Sequence, residues 1–252
     1  MGKIEQYRET LKSLDSWDSY LLQESRLPGP RANLELAFAV ALEGEEELLL
    51  RYAALDAEEA PANTPKEFLA VCGAIGLGYL AARGGVEHFD LIREKASDPR
   101  WRIRESVALG LQKYGQTHME RLLRIMEQWS KGNALERRAV VATLCEPVLL
   151  RNRDHTRKVL DIMDKITGSV LERQSENAEQ FKVLRKGLAY GWSVVVAAQP
   201  AIGKTSMEKW IGADNPDIRW IMKQNLKKNR LSRMDEAWVE DQLKTLEQLP
   251  KK

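Results

Sequence analysis

Two stretches of this sequence carry residues at spacings that chemistry uses. The first, Ala198-Gln-Pro-Ala-Ile-Gly-Lys-Thr205, satisfies the loose pattern of a phosphate-binding loop and follows the apolar run Trp192 to Ala197. A working loop of this kind wraps phosphate in glycine-rich backbone, follows a strand of a parallel sheet, and is served by a later acidic residue that holds magnesium. Here Pro200 removes one backbone donor, and no strand–helix alternation flanks the stretch. A helix ending at Pro200, followed by a turn, is the expectation. The second stretch is basic: Lys223, Lys227, Lys228, Arg230 and Arg233 fall within eleven residues. With Arg219, their spacing of three and four draws a cationic stripe along one helix. Such a stripe suits phosphate, in contacts that weaken steeply with salt. A solvated helix end, its cations facing the negative pole, is the competing reading.

Seven tryptophans add a third kind of candidate, because exposed indole rings can stack on ligands. Trp129, Trp192 and Trp210 sit among apolar residues and read as packing. Trp101, between Arg100 and Arg102, and Trp220, beside Arg219, suit an exposed concave surface. The candidate binding set is therefore Arg100, Trp101, Arg102, Arg219, Trp220, Lys223, Lys227, Lys228 and Arg230. No Ser-His-Asp or Cys-His arrangement is visible, and His88, His118 and His155 show no ligand spacing with one another or with Cys72 and Cys145. No catalytic residue, metal or cofactor is expected, and the cysteines read as two reduced, buried thiols.

The elements that hold these residues are helices. In DPRWRIRESVALGLQKYG, from Asp98 to Gly115, apolar residues recur at Ile103, Val107, Leu111 and Tyr114, on one face of a helix. Asp98 caps its start, Pro99 fits the first turn, and Gly115 is the expected stop. Along the rest of the chain almost nothing alternates with period two, so the chain reads as all-α. Helices are expected over 3–14, 15–25, 32–42, 45–55, 64–83, 86–96, 118–130, 134–150, 154–171, 181–199, 201–212, 215–230 and 234–249, with a polar loop at 173–179. The glycines of TPKEFLAVCGAIGLGYLAAR suggest close helix packing.

The spacing of Asp98, Ile103, Arg104, Val107, Ala108 and Leu111 resembles the second helix of a HEAT repeat. Taking Arg104 as reference, Arg137 in ERRAVVATL falls 33 residues later, followed by Val140, Val141 and Leu144 at matching offsets. Ile218 and Arg219 repeat the apolar-Arg pair, with Met222 and Leu226 behind them and Asp214 five residues ahead. Weaker copies place Glu35, Phe68 and Lys182 at the same position. A recurring unit of this length means that each helix pair must stack on its neighbours to bury its apolar face. The resemblance implies a right-handed α-solenoid superhelix of about six helix pairs, with Asp and Arg in polar ladders between neighbouring helices. It is read as one domain, 1–252, with capping helices at 1–30 and 234–252 and repeats over 31–233.

Among proteins built of HEAT-like repeats, the DNA-alkylation-repair glycosylases are similar in their basic helices and tryptophans. That likeness implies a positively charged groove for DNA. The family's catalytic Trp-Asp segment has no match here: Trp17-Asp18 is the only such pair and lies in the acidic N-terminal region.

Charge is uneven along the chain. Residues 1–70 hold 7 basic and 14 acidic residues, a balance of −7, which leaves +9 to the remainder of a chain whose net charge is +2. Such separation can steer a polyanion to one end. The start, MGKIEQYRETLKSL, has no apolar signal region, and the run 187–198 is too short to span a bilayer, so a cytoplasmic protein without a membrane partner is expected. The leading expectation is a non-catalytic HEAT-repeat scaffold that binds a protein or peptide on its concave face. The alternative is a nucleic-acid-binding or repair protein with a basic groove, which requires Arg100, Arg102, Lys223, Lys227 and Lys228 to converge.

Overall fold

Helix starts in this chain are written in asparagine. Asn33, Asn133, Asn152, Asn177 and Asn215 each stand just before a helix, and each side chain accepts from a backbone N–H of the first turn. These bonds satisfy donors that the helix itself leaves open. At Asn133 the cap is reciprocal, since the Glu136 carboxylate accepts from the Asn133 N–H at 2.9 Å. Thr64 caps a further helix, with Pro65 in its first turn.

In the computed structural model, which describes residues 2–172 and 177–248, every regular element is helical. The helices are α1 (Lys3–Lys12), α2 (Asp18–Glu24), α3 (Leu34–Glu43), α4 (Glu46–Ala54), α5 (Pro65–Ala82), α6 (Phe89–Lys95) and α7 (Trp101–Trp129). They continue as α8 (Ala134–Leu144), α9 (Arg153–Gly168), α10 (Ala178–Ala198), α11 (Pro200–Ile211), α12 (Pro216–Leu226), α13 (Asn229–Met234) and α14 (Glu236–Gln248). Short 3-10 turns occupy Val86–His88, Pro147–Leu150 and Ser169–Glu172. Most of the expected loop 173–179 lies outside the described residues. None of the described helices is long and apolar enough to cross a membrane.

The helix expected from Asp98 to Gly115 differs at both ends. It begins at Trp101, because Asp98 holds the preceding turn by accepting from the Arg100 N–H at 2.8 Å. It runs past Gly115, and helical geometry breaks only at His118 (φ −132°, ψ 42°). The chain divides there into two compact units, one ending at Thr117 and one starting at His118.

In the first unit α3 packs against α1 and α5, and α5 also carries α4. Its core gathers Leu11, Leu21, Leu36, Leu49, Tyr52, Phe68 and Ile75. The α5 glycines permit two close crossings. A Cβ on Gly73 would lie 2.2 Å from the Ala53 nitrogen of α4, and one on Gly78 would lie 2.2 Å from the Gly110 carbonyl carbon of α7.

In the second unit α10 lies between α8 and α12. Arg185 reaches Asp217 at 3.1 Å, and the Ser193 N–H donates to Asn225 Oδ1 at 2.8 Å. The same spacing separates the partners on both helices, so α10 and α12 run parallel and in register. Asn225, fully buried, also donates to the carbonyls of Leu188 and Ile221, which joins the two helices through one side chain. Trp192 is buried below, its indole N–H on Thr167 Oγ1 at 3.0 Å.

Candidate functional site

The arginines beside Trp101 serve the fold. Arg100 is 3% exposed, and its guanidinium donates to both carboxylate oxygens of Asp98 and to the carbonyls of Leu55, Asp56 and Ala60, at 2.7 to 3.0 Å. Those five bonds use all five guanidinium donors. Arg102 is buried too, bound to Glu67 (3.1 Å), the Gly29 carbonyl (2.6 Å) and Asn63 (3.3 Å). Arg100 has no donor left for a ligand; Arg102 spends three of its five donors on these bonds, its enclosed Nε lacks a partner, and its side chain lines the groove beside Trp101.

Trp101 itself is 50% exposed. The Arg102 guanidinium sits 4.5 Å from its ring centroid and, being tied down, fixes the indole in place. Trp101 borders an open groove of about 580 Å³ with Leu34, Val71 and Leu109 on its apolar side and Arg26, Arg31, Glu35 and Glu105 at its rim.

In the second unit the cations and rings that the sequence proposed fall into two groups. Arg219 serves the fold, donating to the Ala213 carbonyl at 3.1 Å and to Asp214 at 2.8 Å. Trp220 is half-buried under the Arg185 guanidinium, 4.1 Å from its ring centroid. Lys223 is exposed on the outward side of α12 and Lys227 just past its end, and Lys228 and Arg230 follow.

Beside them stands a ring that the sequence reading missed. Tyr190 of α10 is 48% exposed, with the Arg230 guanidinium 4.6 Å and the Lys228 ammonium 5.7 Å from its centroid. Arg230 also donates to the Tyr190 hydroxyl. Lys186, one turn earlier on the same face, is exposed as well. The spacing Lys182, Lys186, Tyr190 was the available signal, hidden in a helix whose other faces are apolar. Among the described residues, Lys186, Lys223, Lys227, Lys228 and Arg230 pair with no carboxylate. The result is a cationic face with one accessible aromatic ring.

The other motifs have structural roles. Gly203 of the phosphate-loop pattern is helical and presses on α10, where a Cβ would lie 2.6 Å from Val196 Cα. Lys204 pairs with Asp235 and lies over the Trp238 ring. Instead of the expected turn, α11 starts at Pro200. The Asp18 carboxylate of the Trp-Asp pair takes two bonds from Arg51 and one from the Tyr52 hydroxyl, while the Trp17 indole donates to the Leu11 carbonyl. Cys72 and Cys145 are free and buried, and burial pushes both thiols above their usual range, which makes them inert. His88 hydrogen-bonds Glu46 at 3.0 Å and lies 3.8 Å from Glu87, and both carboxylates are exposed.

No protein-family model matches this sequence, and no curated protein matches it.

Proposed function

We propose that this chain is a non-catalytic scaffold of HEAT-like helix pairs, wound as a right-handed solenoid, that binds an acidic segment of a partner protein on the outward face of α10 and α12. The observation that carries this reading is the group of five cations, Lys186, Lys223, Lys227, Lys228 and Arg230, which among the described residues pair with no carboxylate, around the half-exposed Tyr190. Cations that a fold does not neutralise attract acidic partners, and an exposed tyrosine adds contact area at small entropic cost. The parallel, in-register run of α10 beside α12 supports the solenoid arrangement. The two unpaired, buried thiols fit a reducing compartment, and we place the protein in the cytoplasm.

A second reading, single-stranded nucleic acid, is favoured by Tyr190 itself, since bases stack on exposed rings flanked by cations. Loss of Arg100 and Arg102 to internal bonds removes two of the five cations that a wider nucleic-acid groove needed.

Fluorescence anisotropy with a labelled oligoglutamate peptide and a labelled single-stranded oligonucleotide of equal charge separates the readings. The peptide is expected to bind more tightly at moderate salt. Tighter binding of the oligonucleotide would transfer the site to the second reading, and binding of neither would end both.

A further inference from the structure

The first unit carries a groove that the cationic face does not explain. We propose that the groove beside Trp101 binds a small organic anion with an aromatic or aliphatic body, such as a carboxylate or sulfonate amphiphile. Size comes first: about 580 Å³ is within the range of small-molecule sites and holds a two- to three-ring ligand.

Its lining argues next. Leu34 is 39% exposed and Trp101 50%, unusual for large apolar side chains, and Val71 and Leu109 line the groove with them. Covering these surfaces with an apolar body stabilises a complex in proportion to the area removed from water. The indole is already held by the Arg102 guanidinium, which also lines the groove and is itself fixed by its bonds to Glu67, Gly29 and Asn63. A ligand therefore need not order its platform, which lowers the cost of binding.

Charge decides the polar end of the ligand. Arg26 and Glu35 stand 3.7 Å apart at the rim and offset each other. Glu105 is engaged within the chain. Arg31 is exposed and, among the described residues, pairs with no carboxylate. The groove thus offers an apolar wall and one uncompensated cation, which matches an anion and rejects an amine of the same body.

The test uses the full chain and the probe 1-anilinonaphthalene-8-sulfonate, whose fluorescence rises in apolar surroundings. Saturable one-to-one binding is expected. Trp101→Ala should weaken it at least tenfold and Arg31→Ala at least threefold, while 1-naphthylmethylamine should fail to displace the probe. Leu34→Glu, at an exposed position that leaves folding intact, should abolish binding by placing a carboxylate in the groove. A variant with Lys186, Lys223 and Lys227 changed to alanine should bind the probe as the parent does, which separates this site from the cationic face of the second unit. Equal displacement by the amine, or unchanged affinity in both Trp101→Ala and Leu34→Glu, would overturn the proposal.

Discussion

Arg104 and Arg219, in different units, make the same bond. Each donates to the main-chain carbonyl six residues earlier, Arg104 to Asp98 at 2.6 Å and Arg219 to Ala213 at 3.1 Å. The turn that precedes each helix is thereby tied to the helix's first turns. The matched arginine Arg137 does a related job, donating to the Asn133 carbonyl and to Ser169 Oγ. These bonds run within a turn and its helix, or onward to Ser169. Asp98, the expected ladder partner of Arg104, is taken by Arg100.

Removing either arginine exposes this role. Arg104→Ala and Arg219→Ala should each lower stability by about 1 to 3 kcal/mol, the cost of leaving part-buried carbonyls without a donor. Urea denaturation of both variants checks this, and curves that overlay the parent would show that the carbonyls are served by water.

Gly78→Ala should be more disruptive than its single methyl suggests. The added Cβ meets Gly110 backbone, which cannot rotate away as a side chain would. About 3 kcal/mol, near the upper end for overpacking, is expected from chemical denaturation. A loss of a few tenths would mean that α5 and α7 can separate without cost.

Acid should loosen the contact between α2 and α4. The bidentate Arg51 guanidinium, helped by the Tyr52 hydroxyl, holds the Asp18 carboxyl below its usual value of 3.8. A depressed folded-state pKa means that the pair's stabilisation is fully present above the unfolded value and is lost as pH falls through the folded one. Stability measured from pH 5 down to pH 2 should therefore fall more steeply in the parent than in Asp18→Asn. Parallel profiles would show that Asp18 contributes nothing to the acid limb.

Much of the helical architecture was legible in the sequence because its signals are local. Pro65 at the start of α5, the helix start at position 215, and the apolar face of Ile103, Val107, Leu111 and Tyr114 all act within a few residues of themselves. Gly115 misled, since a glycine ends a helix only where the chain needs an unusual backbone, and here the helix continues to His118. The candidate site was legible by half. Lys223 and Lys227 could be placed outward from their spacing, whereas the fate of Arg100 depended on carbonyls of Leu55, Asp56 and Ala60, some forty residues away. No local pattern reports such a partner. Tyr190 shares a helix face with Lys182 and Lys186, but the cations against its ring, Lys228 and Arg230, arrive after α12, where no local pattern links them to it.

On this reading the outward face of α10 and α12 binds an acidic partner through the five cations that pair with no carboxylate among the described residues. The direct measurement is the affinity of a labelled oligoglutamate peptide, across a salt series, for the parent and for a variant with Lys186, Lys223, Lys227, Lys228 and Arg230 all changed to alanine. Parent binding should weaken as salt screens it, and the variant should lose at least thirtyfold in affinity with unchanged stability. Equal affinity in parent and variant, or binding indifferent to salt, would contradict it.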